Sequence, residues 1–593
     1  MRLPHPRTIF AVTLLLSCAM LAQQPAQQPE QQSPLDTIFF HGDILTGTGL
    51  STGSIDAPSA RVSALAVRHG RIVLIGDDSS VLALKGPHTE LIDLGGHFAM
   101  PGFNDAHTHI ADAGRQRLSV DLDGTTSLSD MQSRIAAYVA HAIPGQWILG
   151  GGWDHTKWPS KTLPTRQDLD SITAGHPALL VRTDGHIAVA NSAALAAAHI
   201  AGSTIAPVGS KIDLDANGTP TGIIREEAAL ALIQKVIPKP DAEVRRKALQ
   251  LSIDDALAHG VTSVQDFSDW DDFLALEAME HSAGGTLPIR VSEWLTFNDP
   301  IDVLKQHQAS HPVGDPYLHT GMLKGFMDGS LGSRTAALLA PYSDDPGNSG
   351  LPRYDQKQLD AMTTERAVAG FPIGFHAIGD RANSMALTAF DHAQTERMKR
   401  LQSILPQLQA STKMSITISV TTRYRIEHAQ VLAPKDFDRF AKLDVIASMQ
   451  PSHLLTDMAW AGDRLGPERV KYAYAWRSFL DHHVVLAFGT DYPVESISPF
   501  RGLYAAITRQ NEAGTATFQP QERITLNEAL FAYTQGSAFA ENAEKQKGRL
   551  EPGFLADLVV LDRDITKATP QELLHARVLR TVVGGQTRYL ARD

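Results

Sequence analysis

Two histidines one residue apart, His107 and His109, close the segment Met100-Pro101-Gly102-Phe103-Asn104-Asp105-Ala106. Alternate side chains of an extended strand share a face, so both imidazoles project together as a ready pair of metal donors. Later segments hold what such a pair needs to complete a site: Lys324 within residues 323–329, His376 within 375–380 and His428 within 426–429. Residues 488–493 add the carboxylate of Asp491. Each is a short apolar run with its polar residue near the C-terminal end. Imidazoles with a carboxylate form a nitrogen–oxygen set that suits zinc, ahead of iron, manganese or nickel. Lys324 stands apart, because an ammonium repels a cation. Burial beside a metal favours the neutral amine, which adds carbon dioxide to become a carbamate, an anion able to bridge two ions. One ion would then take His107, His109 and Asp491 and a second His376 and His428, with Lys324 between them. The plain alternative is an ion pair between Lys324 and Asp328.

Donors so far apart in the chain need a frame that collects strand ends. Residues 98–109, 260–266, 287–292, 322–328, 372–376, 424–428, 445–450 and 484–491 read as strands alternating with helical stretches, the pattern of a parallel sheet with helical crossovers. Eight such units close into an α/β fold, a (β/α)8 TIM-like barrel of about 250 residues with its catalytic groups at the C-terminal strand ends. Positions 107, 324, 376, 428 and 491 fall at those ends. Residues 36–99 and 546–593 read as short strands and predict a flanking β-sandwich made by both chain ends, around a barrel over 100–545. The gap from His109 to Gly260 is too long for one crossover. It predicts a folded insertion over about 112–250 that overhangs the mouth and shapes the substrate pocket.

At 593 residues the chain is long enough for such a barrel and a smaller companion. A net charge of -12 and no basic patch argue against a nucleic-acid partner. Arg2 and Arg7 precede an apolar run at residues 9–16 that is too short to span a bilayer, so residues 1–22 predict an export signal. Cys18, the only cysteine, follows Leu15-Leu16-Ser17 in a pattern resembling a bacterial lipobox and predicts a possible lipid anchor; the alternative is cleavage after Ala22. Residues 23–35 are a Gln/Pro-rich linker. The expected location is the periplasm, free or as a membrane-anchored lipoprotein.

The stretches 101–109, Gly151-Gly152-Trp153-Asp154, Asp184-Gly185-His186, 324–336, His376-Ala377-Ile378-Gly379-Asp380, Glu427-His428-Ala429, Gly489-Thr490-Asp491 and 553–558 together resemble the amidohydrolase superfamily, specifically its amidohydrolase-3 branch related to N-substituted formamide deformylases. The resemblance runs from about residue 36 to 593 and implies a metal-bearing barrel with a flanking β-sandwich. One or two divalent ions, zinc first, with a carbamate on Lys324, would acidify water and polarise a carbonyl. Asp491 would act as general base and then acid in hydrolysing a non-peptide C–N bond of a small-molecule amide. Trp153 is expected as an apolar wall, His186 as a hydrogen-bond donor to a carbonyl or oxyanion, and Arg334 as an anchor for an acidic group. Equally, Trp153 reads as core, His186 as a helix cap and Arg334 as a partner of Asp328 or Asp344. Asp105, Asp380 and Glu427 adjoin ligands and are expected to orient them. A cyclic amide or lactone hydrolase fits the same residues, and an exported binding protein without catalysis is the reading from another class.

Overall fold

The computed structural model describes residues 34–50, 60–182, 187–207, 210–311, 315–412 and 423–592. The expected export signal, Cys18 and nearly all of the linker lie outside them, as does His186. Among the described residues no helix is long and apolar enough to cross a membrane.

Eight parallel strands follow one another in chain order around one sheet: β1 (Phe103–Thr108), β2 (Val261–Asp266), β3 (Arg290–Thr296), β4 (Leu318–Phe326), β5 (Ile373–Ala377), β6 (Arg425–His428), β7 (Ile446–Met449) and β8 (Leu486–Phe488). Most of their residues are buried on both faces, which is why they read as near-continuous apolar runs. The ladder from β8 back to β1 is completed beyond the end of β8. Asp491 N–H donates to His107 O at 2.8 Å, and His109 N–H to Tyr492 O at 2.8 Å. The barrel therefore closes through the backbone of three expected ligands. A side chain at Gly489 would place its Cβ 2.5 Å from His107 N, so only glycine lets the strands approach this closely there.

Residues 98–109, expected as one strand, are two. Phe98–Pro101 pairs antiparallel with Leu558–Leu561 in a six-stranded sheet outside the barrel, and β1 begins after Gly102. A Cβ at Gly102 would lie 2.2 Å from Thr262 Cγ2, and this close approach marks where the chain changes sheets. The six-stranded sheet, with C-terminal strands Val578–Val583 and Gln586–Leu590, packs on a four-stranded sheet of Thr37–Phe40, Ala64–Arg68, Arg71–Gly76 and Glu90–Asp93. Phe39, Leu65, Leu558 and Val582 fill the space between.

The segment after β1 is a second folded layer. Its six strands run in the spatial order Lys211–Leu214, Pro220–Arg225, Ile187–Ala190, Ala178–Arg182, Ile148–Trp153 and Val120–Asp121. It has its own apolar clusters, one around Trp153, Trp158 and Leu180 and another around Leu195 and Ile224. The helix Ala242–Ala258, N-capped by Asp241, returns the chain to β2. It crosses the helix Ile110–Arg117 at Gly114, where a Cβ would sit 1.9 Å from Ala248 O.

Candidate metal centre

A cavity of about 410 Å³ opens at the C-terminal strand ends. His107, His109, Lys324, His376, His428 and Asp491 all line it, so the fold brings together the six expected ligands. His428 (φ 70°) and Asp491 (φ 59°) lie in the left-handed backbone region, a conformation costing about 1–3 kcal/mol that turns these side chains inward at the strand ends.

The tautomers follow from the partners. His107 Nδ1 donates to Glu427 Oε2 at 2.7 Å, and His109 Nδ1 to the Phe267 carbonyl at 2.9 Å. Both Nε2 lone pairs therefore face inward, 3.5 and 3.2 Å from Asp491 Oδ1. His107, His109 and Asp491 form one donor group, with donor atoms within 4.8 Å of one another. His428, His453 and Asp491 form a second. His428 Nδ1 and His453 Nε2 are buried with no hydrogen-bond partner, which is costly unless a ligand answers them. The donor set thus fits a divalent cation, with Asp491 shared between the groups.

Electrostatics keep three of the rings neutral, whereas at His109 burial is outweighed by the facing Asp491, which raises the imidazole. Burial and the Lys324 charge push His107 down to about 4 and His376 down to about 3, and burial with its histidine neighbours holds His428 well below the usual range. Burial works against the charged form of Asp491, but the facing His107 and His109 rings outweigh it and keep this carboxyl well below its ordinary value. Burial pushes Lys324 down to about 8. Its Nζ lies 3.0 Å from His107 Nε2 and over the rings of Trp294 and Phe326. The ion pair with Asp328 does not form. Asp328 instead accepts the N–H groups of Ala337, Ile378 and Gly379, at 2.8, 3.0 and 2.8 Å.

Of the three residues expected to orient ligands, Glu427 bonds His107 directly. Asp105 acts on the backbone, accepting from His107 N–H at 3.1 Å and Thr490 N–H at 3.0 Å, and so ties β1 to the end of β8. Among the described residues Asp380 bonds no imidazole. It accepts from Leu339 N–H at 2.8 Å, and the carboxylate near His376 Nε2 is Asp328, 3.6 Å away. Sequence adjacency misled here, because a residue starting a helix caps the neighbouring loop.

Two of the expected substrate contacts, Trp153 and Arg334, are placed away from the cavity. Trp153 is fully buried in the inserted layer, where its indole N–H donates to the Leu180 carbonyl at 2.9 Å. Arg334 pairs with Asp344 at 2.9 Å and does not line the cavity. Among the described residues, the insertion contributes none to the lining. The walls come from the loop after β4 (Leu331), the segment after β7 (His453, Asp457, Trp460) and the segment after β8 (Val494, Glu495). His453 was missed, although Gln450-Pro451-Ser452-His453 follows the apolar strand β7 as the other donors follow theirs. Arg425 was missed too. It lies beneath Glu427, its Nε 2.5 Å from Oε1, and fixes the carboxylate that aims His107.

Replacing Glu427 by Gln keeps the shape but removes the charge that fixes the His107 tautomer. Metal affinity is expected to drop about 10–100-fold, measured by competition with a chromophoric chelator.

The sequence model of the amidohydrolase family matches residues 90–589. The chain belongs to the amidohydrolase family. It is accordingly a metal-dependent hydrolase acting on carbon–nitrogen bonds other than peptide bonds. This amidohydrolase is 32% identical to Protein LONG AFTER FAR-RED 3 of Arabidopsis thaliana, over 98% of this chain and 97% of that protein. It is 27% identical to the N-substituted formamide deformylase of Arthrobacter pascens, over 90% of this chain and 96% of that protein. Among solved structures, an uncharacterized metal-dependent hydrolase from Pyrococcus horikoshii OT3 superposes with a TM-score of 0.72 at 30% identity, covering 90% of this chain and 99% of that one.

Proposed function

We propose that this amidohydrolase cleaves the C–N bond of a small, uncharged N-substituted amide, with Asp491 as the group that moves the proton. The observation that carries this reading is the convergence of His107 Nε2, His109 Nε2 and His453 Nε2 on the two oxygens of one ionised carboxylate, at 3.5, 3.2 and 3.5 Å. A divalent ion held by His107, His109 and Asp491, zinc first, supplies Lewis-acid polarisation of a carbonyl and acidification of water. A second ion would draw on His428, with His453 or His376. Asp491 accepts the proton of the attacking water and returns it to the departing nitrogen, so that water adds to the carbonyl carbon as the C–N bond breaks. Lys324, buried and with its amine pushed down to about 8, is suited to carry a carbamate toward the same space.

Substrate size and polarity are read from the walls. Leu331, Phe326 and Trp460 offer apolar area beside Asp457 and Glu495, and Arg334 is occupied by Asp344. Among the described residues an acidic substituent therefore finds no arginine in the lining, whereas an aryl or alkyl group on nitrogen finds a wall. The name of the Arthrobacter pascens relative makes N-substituted formamides the first substrates to try. The arginines and apolar run of residues 1–22 support action outside the cytoplasm, with Cys18 as a lipid anchor.

The test is chelation and reconstitution. The stripped enzyme is expected to lose release of amine and formate from an N-aryl formamide, and to recover it with added Zn2+ or Mn2+. Full turnover after verified metal removal would exclude this mechanism.

A further inference from the structure

A second group of donors sits at the opposite end of the barrel. Glu277 and Glu280 lie in the last turns of the helix Trp270–Ser282, His311 follows the helix Ile301–Ser310, and Asp315 precedes β4. Glu280, His311 and Asp315 present donor atoms within 4.8 Å of one another. The site lies about 20 Å from Lys324, since six strand residues at about 3.3 Å each separate Leu318 from it along β4.

The orientation of His311 is the informative detail. Its Nε2 lies 2.6 Å from the Leu318 carbonyl, and a carbonyl can only accept, so Nε2 carries the proton. In the neutral ring Nδ1 then presents a lone pair, and it faces Glu277 Oε1 at 3.3 Å, with Glu280 and Asp315 beside it. A lone pair among carboxylates is repulsive unless a cation lies between them. Glu280 makes the demand sharper, being 6% exposed with its Oε1 buried and unpartnered. Burial and the Asp315 charge both disfavour its ionised form, a cost that a cation would offset. Asp315 Oδ1 accepts from Tyr317 N–H at 2.7 Å and Leu318 N–H at 3.2 Å, which holds the carboxylate in place. Two helices end here, and helix C-termini favour positive charge.

We infer that Glu280, His311 and Asp315, with Glu277 alongside, bind a divalent metal ion separate from the catalytic centre. One imidazole with carboxylates suits Mn2+ or Zn2+ better than Ca2+ or Mg2+. The ion joins two helix ends to the start of β4, the strand that carries Lys324, and its role is structural.

The experiment uses the full chain, stripped with a chelator and then titrated separately with Zn2+ and Mn2+. Metal per chain is counted by plasma mass spectrometry, and melting temperature is followed in parallel. Glu280→Gln and His311→Asn are each expected to bind one equivalent less than wild type. Both lose a part of the metal-dependent rise in melting temperature, while amide hydrolysis stays within about twofold of wild type. Equal stoichiometry and an unchanged melting response in both variants would show that a proton, not a metal, bridges these groups, and would overturn the inference. Should either variant fail to fold, anomalous diffraction from wild-type crystals soaked in Zn2+ decides: a peak between Glu280 and His311 supports the site, and its absence while the barrel mouth is loaded overturns it. Neither result bears on the hydrolase reading, which depends on the mouth alone.

Discussion

Asp491→Asn is expected to lower kcat/KM for amide hydrolysis by at least about 10³-fold, within the range that a positioned acid–base group supplies. Asparagine copies the shape of the carboxylate, and the backbone bond from residue 491 N–H to His107 O that closes the barrel is unaffected. The amide oxygen cannot take a proton from water and hold it for the departing nitrogen. Its NH2 group would also face one of the Nε2 lone pairs now directed at the carboxylate. His107, His109, His428 and His453 keep their positions, so metal content should fall much less than turnover. Steady-state kinetics on an N-aryl formamide, metal analysis and circular dichroism on the same preparation separate chemistry from folding. Activity within tenfold of wild type would remove Asp491 from the reaction.

Arg425→Met is expected to destabilise the protein by about 3–5 kcal/mol, the cost of leaving a buried charge without its partner. Arg425 is 1% exposed and reaches both oxygens of Glu427, the Ala106 carbonyl at 2.7 Å and Ser448 Oγ at 2.7 Å. Methionine fills the volume and answers none of them. The melting temperature should fall by roughly 3–5 °C, given an unfolding entropy of about 2.1 cal/mol/K per residue over a chain of this length.

The same pair sets a pH signature. Burial raises the Glu427 carboxyl, but Arg425 and the His107 hydrogen bond outweigh it and hold it at about 2. A carboxyl depressed on folding contributes stability that is fully present above its unfolded value of about 4.3 and is lost as pH falls toward 2. Without Arg425, burial dominates and the shift reverses, so the variant should lose stability as pH rises through the ordinary carboxylate range. Chemical denaturation between pH 3 and 7 reads both slopes. A loss under about 1 kcal/mol with an unchanged pH slope would mean that Glu427 finds another partner.

Much of the frame was legible because each strand carries its own record. A strand buried on both faces must be a continuous apolar run, and a donor just past such a run stands at the rim whatever surrounds it. This reasoning located all eight strands and placed His107, His109, Lys324, His376, His428 and Asp491 at one mouth. It could have reached His453 as well, had the polar end of β7 been weighed like the others.

What remained illegible depends on contacts between segments distant in sequence. Whether Trp153 is wall or core is decided by the Leu180 carbonyl that its indole meets, and which of Asp328 and Asp344 pairs with Arg334 is decided only by the packed loops. The same holds for Asp380 and Asp328, two carboxylates in the same kind of apolar context, of which only the packed chain brings one beside His376. By itself the sequence determined the strands, their order and the donors at their ends, since these follow from local periodicity. Tertiary structure alone decided which donors share an oxygen, which charges are already answered and which walls face the cavity, because those depend on distances of a few ångströms across the closed barrel.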